Sequence, residues 1–206
     1  MRAFPATPLF GALSALTGVA ERRGSSSGSK EDVATNSASR SDGTDGAEAF
    51  EQLVGLLDYP MFVVTTRAGA ERSGCLVGFT SQISIDPPRF LVGLSEKNHT
   101  YQVAREAERL VVHVLGRRDL ELARLFGEET GDEIDKFDRC AWHDGPDGLP
   151  VLDDAPGWFG GRILERLPLG DHVAFLIEPD IGHMDADPPS LVTFGAVRHL
   201  EAGHEA

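Results

Sequence analysis

Cysteine is nearly absent. Cys75 and Cys140 are the two in 206 residues, too few for a disulfide framework, so a reducing, cytoplasmic setting is the simpler expectation. Basic residues are also scarce: 19 Lys and Arg stand against 33 Asp and Glu, a formal net charge of −14. Such a surface repels polyanions, which argues against nucleic-acid and anionic-membrane partners. No apolar run approaches the roughly 18 residues of a membrane span. There is no Walker loop, no GxGxxG and no Ser-His-Asp context. Cys140 and His143 have no partner pair at metal-ligand spacing, so no metal is expected. What remains is a chain long enough for one soluble domain plus a tail.

The tail is at the front. Phe4 to Ala20 is moderately apolar, but Pro5 and Pro8 interrupt it. It reads poorly as a secretory signal, and equally well as a short helix or as residues ahead of the true start. Gly24 to Gly46 carries hardly a large apolar side chain and cannot offset chain entropy by burial. Residues 1–47 are therefore expected to be poorly ordered, and 48–206 to form the domain.

Within the domain, Phe50, Leu53, Val54 and Leu57 have the spacing of one helical face, ended by Tyr59-Pro60. Met61 to Thr66 is β-rich, and Ala68-Gly69 turns the chain back. Ser73 to Pro88 follows as one long extended segment. Thr80, Gln82 and Ser84 alternate there with Ser81, Ile83 and Ile85, so one face can pack on a core while the other offers hydrogen-bonding groups. Asp86-Pro87-Pro88 ends the ladder, and Phe90 to Leu94 reads as a buried strand. The short connections allow only antiparallel pairing, which counts against a doubly wound nucleotide fold. A helix from Asn98 or His99, a strand at Leu110 to Leu115 and a helix at Asp119 to Phe126 follow. The hairpin of Trp158 to Leu167 and His172 to Glu178 comes next, with Gly170-Asp171 as its turn, and Leu191 to Phe194 reads as a last strand. The pattern is mostly β with flanking helices and suggests a closed antiparallel barrel.

The run Gly78-Phe-Thr-Ser-Gln-Ile-Ser-Ile-Asp-Pro-Pro88 is followed by Phe90-Leu91-Val92-Gly93-Leu94 and Lys97-Asn98-His99-Thr100-Tyr101. Asp135-Lys136-Phe137, Gly148-Leu149-Pro150-Val151-Leu152 and Gly170-Asp171-His172 come after in order. Together these resemble the signature of the flavin reductase-like, FMN-binding split-barrel family, from about Phe50 to His204.

The resemblance implies an antiparallel FMN-binding split β-barrel that forms homodimers, with the flavin near the subunit boundary. It implies FMN as cofactor, with FAD as the alternative, and NAD(P)H as reductant. Carried over by position, Gly78, Thr80, Ser81, Gln82 and Ser84 would meet the ring and ribityl chain. Lys97, Asn98 and Thr100 would take the phosphate end, where a cation, hydroxyls and backbone N–H groups suit a dianion. Phe137 would cover the ligand or anchor the acidic segment before it. His172, oriented by Asp171, would sit near flavin and nicotinamide and donate a hydrogen bond. Leu76, Val77, Gly78 and Gln82 depart from the small hydroxyls and Asn common in the family. Hydride passes directly between the two rings, so the protein mainly positions them.

The expected function is thus an NAD(P)H-dependent flavin reductase, with an oxygenase as a candidate acceptor of reduced flavin. The alternatives are a flavin carrier or sensor without turnover, or the same barrel with a deazaflavin or haem. Room over the ring beside His172 separates enzyme from carrier: a Gly182 to Pro189 loop filling that space would exclude nicotinamide.

Overall fold

The computed structural model describes residues 46–187 and 190–200. The expected disorder of residues 1–47 falls outside these, except at Gly46 and Ala47, which open a helix. Pro188 and Pro189 of the expected lid also lie outside the described residues. The chain runs α1 (Gly46–Val54), β1 (Phe62–Ala68), β2 (Glu71–Val77), β3 (Thr80–Ser84), β4 (Arg89–Ser95), α2 (His99–Ala104), β5 (Arg109–Val114) and α3 (Leu120–Glu128). A 3-10 turn at Lys136–Arg139 leads to β6 (Trp142–Asp144), and another at Pro146–Gly148 leads to β7 (Pro150–Leu152). The long hairpin β8 (Gly157–Pro168) and β9 (His172–Met184) and the single turn α4 (Phe194–Val197) complete it.

Among the described residues, seven strands form one sheet in the order β2-β1-β5-β8-β9-β4-β3, and β6 and β7 make a separate ribbon. Every pairing in the large sheet is antiparallel, and the short links of β1 to β2, β3 to β4 and β8 to β9 require it for those pairs. The two edge strands, β2 and β3, are consecutive in sequence. Only Gly78 and Phe79 lie between them, so the sheet must curl until its edges approach. It is a barrel with a slit: the ladder does not close between β2 and β3, which is the split barrel that the family resemblance implies.

Period-two alternation accounts for two cores. Val64, Val92, Leu110, Val112, Phe175 and Ile177 fill the barrel, each with no exposed surface. Val63, one residue from Val64, points the other way with Leu115, Phe126, Leu152 and Val192 into a second cluster under α3. Both faces of β1 are thus buried, which is why its sequence is nearly continuous in apolar residues. His113 is buried among them: its Nδ1 donates to the Val63 carbonyl at 3.1 Å, and its Nε2 accepts from the Leu152 N–H at 3.1 Å. That pairing fits one neutral tautomer. Burial pushes its pKa down to about 4.

Four local expectations change. The single strand from Ser73 is two, broken at Gly78-Phe79. Ile83 and Ile85, expected to face the core, are 54% and 81% exposed, because β3 is an edge strand whose register shifts between Gln82 and Ser84. β9 runs past Glu178 to Met184: the register shift at Gly160/Gly161 opposite Pro179 accommodates the proline. Leu191 to Phe194 makes only isolated bridges, Gly116 to Leu191 and Pro60 to Thr193. Phe50, Leu53 and Val54 of the expected apolar face lie on α1, which ends before Leu57, and no residue of that helix is buried.

Candidate functional site

Residues from three parts of the chain meet at the slit. β3 pairs with β4, placing Thr80 opposite Val92 and Ser81 opposite Leu91. β4 pairs in turn with β9, so that Ser95 faces His172. The Glu96 N–H donates to the Asp171 carbonyl at 3.1 Å, tying the junction after β4 to the hairpin turn before β9. The start of β3, the junction with Lys97 and the Asp171-His172 turn therefore gather at the C-terminal end of β4, though the last two residues come from far down the sequence.

The groups differ in how committed they are to the fold. Ser81 Oγ donates to the Gln82 carbonyl at 3.2 Å, and Gln82 Nε2 to the Ser84 carbonyl at 3.2 Å; both side chains are exposed and the bonds are local. Lys97 is exposed. His172 Nδ1 is 2.9 Å from Asp171 Oδ1. The hydrogen bond from His172 holds the Asp171 carboxyl below its usual range, helped by the charges of His172 and Lys97. Nε2 is then the imidazole nitrogen that a ligand would meet.

Other expected residues serve packing or capping. Asn98 Oδ1 accepts the Thr100 N–H at 2.8 Å, capping α2. Thr100 is 1% exposed and shares a 2.9 Å hydrogen bond with Ser73, so its hydroxyl supports the junction from beneath. Gly78 has to be small for a packing reason: a Cβ there would lie 2.5 Å from the Tyr59 ring and 3.0 Å from the Met61 sulfur. Phe137 is buried at 4% exposure in the second cluster, edge-on to Phe126 and Trp142 at 5.7 and 5.4 Å. It anchors the segment after α3 and is not brought to the slit edge.

Beside Phe137, Lys136 is 5% exposed, and its Nζ donates to the Gly74 and Phe126 carbonyls at 3.2 Å each. Burial lowers its pKa. A small cavity of about 240 Å³ lies here against Arg72, Ser73 and His99. His99 reaches Asp132 at 2.8 Å and Glu71 at 3.4 Å, so the acidic segment after α3 is fastened to the start of α2.

A cleft of about 840 Å³ lies elsewhere, at the His183 end of β9. Five aspartates line it against Arg117 and Arg118, an acidic balance unsuited to a phosphate-bearing ligand. Sequence reading missed Phe79, whose ring lies 5.0 Å from His172. The available signal was a large aromatic inside a run of small and hydroxylic residues.

The side chains at the slit suit a flavin mononucleotide: hydroxyls and an amide for the ring and ribityl chain, the Lys97 cation for a phosphate, and the exposed Phe79 ring beside them. A family model, the flavin reductase like domain, matches residues 54–201. This chain belongs to the flavin reductase-like family. It is 32% identical over 151 residues to the FMN reductase (NADH) RutF of Bradyrhizobium diazoefficiens, covering 70% of this chain and 83% of that one. It is 28% identical over 117 residues to a probable flavin reductase of Rhizobium meliloti, covering 55% of this chain but only 37% of that protein's length. The crystal structure of a flavin reductase domain protein from Arthrobacter sp. FB24 superposes with a TM-score of 0.65 at 22% identity, over 72% of this chain and 90% of that one. That likeness establishes the split-barrel fold.

Proposed function

We propose that this protein is an NAD(P)H-dependent flavin reductase that holds FMN along the slit edge. The observation that carries this reading is the convergence of the start of β3, the 95–98 junction and Asp171-His172 at the C-terminal end of β4. Thr80, Ser81, Gln82 and Ser84 would bond the ring and ribityl chain, with Gly78 letting the turn before them pack against Tyr59. Lys97 would hold the phosphate, with Asn98 shaping the junction by capping α2 and Thr100 fixing it from below. Phe137 acts at a distance, by anchoring the acidic segment.

When bound, the flavin supplies the electron-accepting ring for the nicotinamide's hydride. The residues around it orient rather than react. His172, its Nδ1 held by Asp171, presents Nε2 to a ligand, accepting a hydrogen bond when neutral and donating one when protonated. Gly182 to Met184 belong to β9 and lie at the opposite end of that strand from His172, so this part of the expected lid leaves room for a second ring. That favours turnover over a carrier.

A second copy of the chain is the proposed partner at the slit. Ile83 and Ile85 are 54% and 81% exposed, and Phe50 and Leu53 on α1 are 66% and 64%; so much exposed apolar surface suits an interface. An oxygenase is the proposed acceptor of reduced flavin. Among the described residues no helix is long and apolar enough to cross a membrane.

The test is NAD(P)H oxidation by the purified protein with FMN, FAD or no added flavin. Oxidation that rises with FMN supports the reductase, and a stronger rise with FAD changes the cofactor. Flavin binding without oxidation of either nicotinamide leaves a carrier.

A further inference from the structure

Phe79 is an exposed aromatic side chain on a rigid stem. Its carbonyl accepts the Gly93 N–H at 2.7 Å, and the Thr80 N–H donates to the Gly78 carbonyl at 2.9 Å. Gly93 has to lack a side chain here, since a Cβ would stand 3.1 Å from the Phe79 Cβ. On the other side, Gly78 is pressed against Tyr59. The two-residue link cannot swing, yet Phe79 keeps 57% of its surface exposed. Its ring meets the imidazole of His172 at 5.0 Å and 62°, and Asp171 fixes that imidazole from behind. The two rings make a corner: an apolar wall and a hydrogen-bonding wall, at the slit edge beside Thr80.

We propose that Phe79 is a binding residue for a planar heteroaromatic ring, which stacks on its open face while His172 bonds the ring's edge. This rests on the reductase reading and assigns within it a contact that Thr80 to Ser84 do not supply. A flat π-face at fixed height and an imidazole nitrogen at its rim suit a ring with polar edge atoms. The isoalloxazine of FMN and the nicotinamide of NAD(P)H both have that chemistry.

The experiment compares wild type with Phe79→Leu and Phe79→Tyr. Leucine keeps the apolar bulk, so the link still packs; tyrosine keeps the ring. FMN affinity is read by fluorescence titration, the KM for NADH by steady-state turnover, and assembly by light scattering. The leucine variant is expected to weaken one ligand about tenfold, with the tyrosine variant within about threefold of wild type and the mass unchanged. A weaker FMN affinity at constant KM assigns the isoalloxazine; a higher KM at constant FMN affinity assigns the nicotinamide. If the leucine variant leaves both unchanged, or changes only the oligomeric mass, Phe79 is an interface or filler residue and the proposal is wrong. A wild type that neither binds FMN nor oxidises NADH fails the reductase reading itself, whereas a competent wild type with indifferent variants fails this proposal alone.

Discussion

β2 and β3 are two halves of one extended run, yet the barrel treats them oppositely. β2 buries Ser73, Gly74, Cys75 and Val77, is laddered to β1 along its whole length and packs on α2 and α3. β3 buries none of its residues, is laddered on one side only, and carries its hydroxyls outward. The difference lies in which edge of the sheet each half reaches. At β2, Ser73 and Thr100 satisfy each other inside the protein, and their polarity is structural. At β3 the same kinds of side chain meet water and local carbonyls, so a ligand can claim them at little cost to the fold. Hydroxyls in a strand acquire functional meaning only when the sheet leaves them a free side.

The largest effect should come from the closed core that β2 faces. Phe175→Ala empties the barrel centre and is expected to lose about 3–5 kcal/mol, read as a lower urea midpoint with unchanged slope. A loss below about 1 kcal/mol would mean that the barrel collapses around the gap, and that the contrast with the slit is weaker than the burial implies.

Next is the pH response of His113. The unfolded chain protonates this imidazole below about pH 6.5, while the folded one resists until about pH 4. Its contribution is full above the unfolded value and disappears as pH falls through that window, on the order of 3 kcal/mol in all. Urea midpoints at pH 7.5 and 4.5 measure it, with His113→Gln as the control that should flatten the fall. An equal fall in both proteins would assign the loss to carboxylates instead.

The smallest stability effect belongs to the open edge. Ser81→Ala with Gln82→Ala should stay within about 0.5 kcal/mol of wild type while weakening FMN several-fold, on the order of one hydrogen bond's net worth per side chain. A double variant that melts early would show that β3 is held by its side chains, and that the two halves differ less than described.

Much of this architecture was legible in the chain. β-rich and apolar runs marked β1, β4, β5, β8 and the start of β9, and a helix opening at Asn98 or His99 marked α2. The break at Gly78-Phe79 was hidden because alternation continues through it; the interruption is in sheet order, which local pattern does not encode. Pro179 read as the end of β9 because a proline usually stops a ladder, and only the register shift opposite Gly160 and Gly161 lets the strand continue. At the site, Thr80, Ser81, Lys97 and His172 carried polar groups in recognisable motifs. Phe79 did not, because its meaning lies in pairing with a histidine from the other end of the domain. Thr100 and Phe137 sat in equally recognisable motifs, but burial gives them supporting positions.

The pairing of β4 with β9 has a consequence for how the protein comes into being. As the chain leaves the ribosome, β1, β2, β3 and β4 emerge together, and the β1–β2 hairpin can form at once from neighbours in sequence. β4 has no second partner until β9 has been synthesised, and Phe79 has no imidazole beside it before then. Long-range pairings of this kind slow folding. The slit corner is therefore among the late parts of the barrel to exist, and a nascent chain halted before β9 would display the Thr80 to Ser84 hydroxyls without the wall that faces them.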